Sequence, residues 1–529
     1  MEYKRFGAMI CCSSNAVMKV EKVKELIDLL SKMEYNVLEL CIDDLYKVDG
    51  EPYFGYLRGG YTKEEIREMD AYALSKGIEL IPSIQTLAHM TNLVKLPYYG
   101  DIVDVNDILL VGHPKTYALI EKMFASLAEQ FTTRQVNIGM DEAHMIGLGN
   151  YLRQNGYKNR FDILLEHLGR VKEIAAKYGF TVHMWSDMFY RLANGGEYSV
   201  KGAHVPKEVA AKIPEGVELA YWEYLSADER LYDELFRSHK GLQRPVWFAG
   251  AACTSNGFAP FNRLSLRSLR AAMKQVRAHE IENVLITLWG DDGNDCSYFT
   301  TLPTLYAARQ FAKGNFDMEA IAAGFETLFG VSFEAWLTID IPNKSEKNPD
   351  LLGISNACKS LLYNDCFLGW KDGALAEQAH IPFADYAAQL RKVQAGKYTY
   401  LFENLANLCD VLDVKAELGL RTRKAYQAGD TAALSALVAD YEEAARRLKI
   451  FHRSFKAQWM KENKPYNWEV HEIRLGGLYS RIGDCKERLE AYLRGEVTEI
   501  PELTETILPY ANWGLQYNLY RGLVSVSEL

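Results

Sequence analysis

The sequence predicts an α/β protein in which a (β/α)8 barrel is followed by an α-helical C-terminal region. Three observations carry this expectation. Eight short apolar runs alternate with helical patterns from residue 5 to about residue 315, the signature of parallel strands joined by crossover helices. No Gly-x-Gly-x-x-Gly turn follows the first run, which argues against an open doubly wound sheet. Beyond the polar, proline-bearing break "IPNKSEKNPD" (341–350), strand signals give way to long helical patterns.

In order, "FGAMICC" is the first strand, and Val20, Val23, Ile27 and Leu30 then recur at helical spacing with Glu, Lys and Asp on the opposite face. Further strands are read in "NVLELCI" (36–42), "IELIPSI" (78–84), "QVNIGM" (135–140) and "TVHMWS" (181–186). "VELAYWE" (217–223), "PVWFAG" (245–250) and "NVLITLW" (283–289) complete the eight. Helices are expected over Thr62 to Lys76, Lys115 to Gln130, Arg160 to Tyr178 and Leu264 to His279. In the C-terminal region they are expected over Tyr386 to Leu412, Ala432 to Asn463 and Trp468 to Arg494. The expected division is a barrel over 1–325 and a helical domain over 326–529.

Composition narrows the function. With 529 residues, 48% of them hydrophobic, the chain can bury a large core. A net charge of −10 offers no general attraction to nucleic acid or anionic lipid, so neither is an expected partner. No apolar run reaches the ~18 residues of a membrane span. The nine cysteines form no Cys-x-x-Cys pair and suit a reducing compartment, and the N-terminal apolar run is short for a secretion signal, so a cytoplasmic location is expected.

Polar and aromatic residues gather just after the predicted strands: Asp43-Asp44, Gln85 with His89, Asp141-Glu142, Trp185 with Asp187, Glu223-Tyr224, Asn256 and Asp291-Asp292. In a barrel all of these lie at one face, where active sites are built. The four letters Asp141-Glu142-Ala143-His144 admit three chemistries. A helicase box needs an upstream phosphate-binding glycine loop, which the sequence lacks. A metal site needs companion ligands, and His89, His113 and His183 are scattered, so no metal or cofactor is expected. Two carboxylates at a barrel mouth serve proton transfer, provided the chain leaves the sheet there, because alternation otherwise sends neighbours to opposite faces. Gly139 stands where that departure is needed. The surrounding Trp185, Tyr221, Trp222, Tyr224 and Trp289 suit the apolar faces of a sugar, although such aromatics also serve as core.

At these residues the chain resembles the family 20 glycoside hydrolases, the β-N-acetylhexosaminidases, and in particular their bacterial branch with a helical C-terminal domain. The blocks that carry the resemblance include "EPYFGYLRGGYTKEE" (51–65), "IELIPSIQTLAHM" (78–90), "IGMDEAHMIGLGNYL" (138–152), "MWSDMF" (184–189), "NGFAP" (256–260) and "TLWGDDGNDCS" (287–297). The resemblance implies substrate-assisted retention, in which the sugar's own 2-acetamido oxygen attacks the anomeric carbon and water later opens an oxazolinium ion. It makes Glu142 the acid and base and Asp141 the partner of the acetamido N–H, with Asp44 and His89 as a supporting pair. His144 keeps a supporting role. Trp185 and Trp289 become pocket walls, Tyr221 or Tyr224 the tyrosine at the acetamido oxygen, and Asp291 the carboxylate that grips the outer hydroxyls.

The resemblance also fails at particular places. Cys11 and Ser14 stand where the branch carries Asp and Arg, and Cys253 and Ser255 where it carries Trp. Three readings stay open: an exo-hexosaminidase with a widened pocket for the terminal sugar, a β-glycosidase of shifted sugar class, and a sugar-binding protein on an enzyme scaffold. The expected partner is a carbohydrate, and a homodimer is left open. Trp468, Trp513 and Tyr517 are read as core by default, with an active-site roof or a subunit contact as alternatives.

Overall fold

The computed structural model describes residues 2–376, 380–509, 519–525 and 527. Trp513 and Tyr517 lie outside the described residues.

Eight parallel strands close into a barrel, each paired with its two neighbours in sequence order. They are β1 Arg5–Cys11, β2 Val37–Cys41, β3 Glu79–Ser83, β4 Gln135–Asn137, β5 Thr181–Trp185, β6 Val217–Trp222, β7 Val246–Ala251 and β8 Asn283–Leu288. Register is fixed by one-to-one pairs such as Gly7 with Val37, Cys11 with Cys41 and Ile10 with Leu288. The outer ring contains α1 Val20–Lys32, α2 Lys63–Ser75, α3 Pro114–Gln130, α4 Arg160–Lys177, α5 Asp187–Ala193, α6 Glu229–Lys240, α7 Asn262–Ala278 and α8 Leu302–Lys313. Each helix starts and faces inward for a local reason. In α1 the buried residues Val23, Leu26, Ile27 and Leu30 form one stripe against the sheet. At the start of α2, Thr62 and Glu65 satisfy each other's backbone N–H in a capping box.

The core is in two parts. The larger fills the space between strands and helices. The smaller lies inside the barrel, where Met9, Cys11, Cys41, Ile81, Trp185 and Leu285 stack. Below them Glu39 accepts from Asn137 at 2.9 Å and lies 3.1 Å from His183 Nε2, with His183 and Glu39 fully buried. His183 is therefore part of the barrel floor, and His113 caps α3 by accepting from the Lys115 N–H.

The C-terminal helices include α9 Thr399–Lys415, α10 Leu418–Gln427, α11 Thr431–Glu462 and α12 Glu469–Leu493. The single helix expected over Tyr386 to Leu412 is instead two, Phe383–Arg391 and α9, separated by a 3-10 turn at Gly396–Tyr398. The first helix ends at Arg391, and Gly396, with a left-handed φ of 55°, opens the 3-10 turn. Residue 325, the expected barrel limit, lies inside the helix Met318–Phe329. The helical region is joined to the barrel by backbone bonds from Lys19 N to Glu462 O (2.9 Å) and from Lys464 N to Val17 O (2.8 Å). Trp468 is core, packed on Phe455, Trp459 and His471. No single helix among the described residues is long and apolar enough to cross a membrane.

Candidate active site

A cavity of about 460 Å³ opens at the C-terminal ends of the strands, lined by Asp141, Glu142, His89, Trp185, Trp289 and Asp291 among others. Its geometry begins at the end of β4. The strand stops at Asn137, and Gly139, Met140 and Glu142 all take left-handed φ of 68°, 68° and 51°. This abrupt exit brings two consecutive carboxylates to one mouth. A Cβ on Gly139 would collide with the Gln85 amide, so glycine leaves room for Gln85 to approach. Gln85 then donates from Nε2 to Asp141 Oδ1 at 2.8 Å and accepts from the Met140 N–H at 3.3 Å.

The two acids have different surroundings. The Asp141 side chain is 15% exposed, and His89 Nε2 lies 3.2 Å from its Oδ2. Burial alone would raise the Asp141 carboxyl, but the His89 charge and hydrogen bonds from His89 and Gln85 outweigh it and hold the group below its usual value. Chiefly because of Asp141, the His89 imidazole is raised to about 10, so it is cationic at neutral pH. The Glu142 side chain is 40% exposed and contacts Arg191 at 3.2 Å and His89 at 3.7 Å.

Aromatic walls complete the cavity. The rings of Trp185 and Trp289 are 5.9 Å apart, and Trp222 stacks on Tyr224 with centroids 5.2 Å apart. Trp289 Nε1 donates to the Tyr224 hydroxyl at 3.0 Å. Burial raises the Tyr224 phenol well above its usual value, so the hydroxyl stays protonated and can donate. Asp291 meets solvent at the mouth, yet protein encloses its other sides. Loss of hydration, then nearby Cys11, pushes its carboxyl up to about 7. Burial and Cys11 act alike on Asp43, which also reaches about 7.

Two expected site residues lie elsewhere. Asp44 does not line the cavity: it is buried against Arg58, with Nε and Oδ2 3.0 Å apart, and Asp43 occupies the cavity wall instead. Tyr221 is fully buried behind the sheet, its hydroxyl 3.2 Å from Ser199 Oγ and its ring against Phe236 and Phe248, so Tyr224 is the tyrosine in the cavity. His144 points to solvent, outside the lining. Cys11, Ser14 and Ser255 line the cavity, whereas Cys253 does not. The sequence places Asp43, Gln85, Asp187 and Trp222 at this mouth without giving each a role of its own, and it does not single out Arg191 at all.

The helical region reaches this site through the loop after β8. Lys359, fully buried, bonds Asp292 Oδ2 at 2.7 Å and Asp295 Oδ2 at 2.5 Å, and Arg474 donates to Asp292 O at 2.7 Å. Asn467 donates to Asn15 O (2.8 Å) and Arg58 O (3.1 Å), tying the loops after β1 and β2 to the same helices.

The "Glycosyl hydrolase family 20, catalytic domain" model matches residues 5–228, and the "Glycoside Hydrolase 20C C-terminal domain" model matches residues 334–517. The chain belongs to glycoside hydrolase family 20. Among family 20 relatives, Hexosaminidase D of Bos taurus is 25% identical over 295 residues, covering 51% of this chain and 80% of that protein. Hexosaminidase D of Homo sapiens is 23% identical over 342 residues, covering 59% and 67%. A solved family 20 exo-β-N-acetylglucosaminidase from Vibrio harveyi, in complex with N-acetylglucosamine, aligns with a TM-score of 0.48 and 17% identity over 64% of this chain and 58% of that one. The chain thus spans less than two thirds of that structure's length.

Proposed function

We propose that the chain is a retaining, exo-acting β-N-acetylhexosaminidase working by substrate-assisted catalysis. The observation that carries this reading is the unequal pair Asp141 and Glu142: adjacent acids, one paired with His89 and kept ionised, the other half exposed toward an open cavity. An ionised Asp141 suits the acetamido N–H and the positive charge that develops on the ring as the acetamido oxygen bonds to the anomeric carbon. Tyr224 donates to that oxygen. Glu142 gives its proton to the departing glycosidic oxygen, the C1–O bond breaks, and an oxazolinium ion remains. Glu142, now a carboxylate, takes a proton from water as the water oxygen bonds to C1, and the acetamido group is restored.

Small residues at Ser14 and Ser255 leave room at the cavity wall, which supports a terminal sugar carrying a further substituent. Nitrophenyl β-glycosides of GlcNAc, GalNAc, glucose and galactose test the reading: cleavage confined to the acetamido sugars, with strong inhibition by a thiazoline mimic of the oxazolinium ion, is the expected result. Cleavage of glucose or galactose substrates without thiazoline inhibition would replace it with a glycosidase of another sugar class. Turnover of none, alongside sugar binding, would leave a binding protein.

A further inference from the structure

Glu142 presents a positioning problem. Its side chain is half exposed and its backbone is left-handed, with φ of 51° on a residue that has a Cβ. A glutamate in that state has several rotamers open to it, whereas proton transfer needs it held to within about 0.5 Å.

The short helix α5 supplies the restraint. Asp187, fully buried, accepts on one oxygen, Oδ2, from the Glu142 N–H at 3.1 Å and from Arg191 Nε at 3.0 Å. Arg191 stands four residues later, one helical turn on, and its remaining nitrogens are committed as well. Nη1 donates to Gly196 O at 3.1 Å and Nη2 to Glu142 Oε1 at 3.2 Å. The guanidinium also lies 5.7 Å from the ring centres of Trp222 and Tyr198. One carboxylate and one guanidinium thereby hold both the main chain and the side chain of Glu142. The second oxygen, Oε2, is 3.7 Å from His89, beyond hydrogen-bond reach, and stays free.

We infer that Arg191, anchored by Asp187, is the positioning residue that holds Glu142 through Oε1 so that Oε2 carries the transferred proton. This rests on the reading of Glu142 as acid and base. Three directed bonds explain why arginine serves here: a lysine ammonium lacks the planar fork needed to make all three at once.

The test measures kcat/KM, which reads the first chemical step, for aryl glycosides of poor and good leaving groups. Arg191→Ala is expected to lose about 100-fold on poor leaving groups, which need the proton. On dinitrophenyl substrates, which do not, it is expected to lose less than about 5-fold, a gap of the size general-acid catalysis contributes. Added guanidinium ion is expected to recover part of the loss, and Arg191→Lys to fall between native and alanine. An equal loss on both leaving groups, no loss, or no guanidinium rescue in a protein that melts as the native does would overturn the proposal. Should the alanine variant fail to fold, the leaving-group dependence of Arg191→Lys decides: native-like dependence overturns it. Glu142→Gln in the same panel separates the two readings. If it spares poor leaving groups, the acid assignment itself fails. If it does not spare them while Arg191→Ala does, only the role of Arg191 fails.

Discussion

Asp44 and Arg58 form a buried ion pair on the side of the barrel wall away from the sugar cavity, with Oδ2 and Nε 3.0 Å apart and both side chains at most 10% exposed. Arg58 also donates to the Ser13 carbonyl, so the pair locks the loop after β2 to the loop after β1. Removing one partner leaves the other charge buried, which costs about 3–5 kcal/mol. Asp44→Asn is therefore expected to lower stability by that order in urea unfolding. Asp43→Asn, at a cavity wall, is expected to raise KM with little change in the unfolding midpoint.

The two tyrosines separate in the same way. Tyr224→Phe removes a hydroxyl inside the cavity that would orient the attacking acetamido oxygen, and is expected to lower kcat by about 10²-fold, the cost of misplacing a reacting atom. Tyr221→Phe removes only the hydroxyl that meets Ser199, worth about 1 kcal/mol. Steady-state kinetics and thermal melts on both variants check this: comparable kcat losses would contradict the assignment of Tyr224.

Strand parity explains both placements and marks how much of the site was legible in the sequence. Side chains alternate, so on β2 the series Val37, Glu39, Cys41 faces inward and continues to Asp43, leaving Asp44 outward. On β6 the inward series is Ala220 and Trp222, continuing to Tyr224, and Tyr221 lies behind the sheet. On β8 it runs Leu285, Trp289, Asp291, and Asp292 turns out to the helical region. The eight strands, and the clustering of acids and aromatics at one mouth, follow from apolar periodicity alone. Applied at every strand end, the same alternation selects Asp43, Trp222 and Tyr224. What it does not reach are Lys359, Asn467 and Arg474, which arrive from the helical region far along the chain and whose contacts no local pattern encodes.

Those distant contacts brace the loop after β8 that carries Trp289 and Asp291. Burial would raise Asp295, but Lys359, His471 and Arg474 hold it below its usual value, so it remains ionised. Lys359→Met strips the ammonium from between Asp292 and Asp295 and is expected to cost about 3–5 kcal/mol. Because Asp291 and Trp289 sit on the same loop, the folded fraction is expected to show a raised KM as well. Denaturant titration with parallel kinetics checks it: a stability loss with unchanged KM would mean that the loop does not depend on this clamp.

The pH dependence of binding follows from Asp43 and Asp291. Both carboxyls are raised to about 7, chiefly by burial, so each keeps its proton to a higher pH than an ordinary carboxyl and becomes an acceptor for sugar hydroxyls only as pH rises through 7. Asp141 behaves oppositely. Held below its usual value beside a His89 that stays cationic to about 10, it is ionised across this range and adds no titration of its own near neutrality. The acid side of the kcat/KM profile is thus expected to fall below pH 7 through a rising KM. Asp291→Asn is neutral at every pH and is expected to weaken binding throughout while reducing that slope, leaving the contribution of Asp43. A profile in Asp291→Asn as steep as the native one would assign the limb to another group.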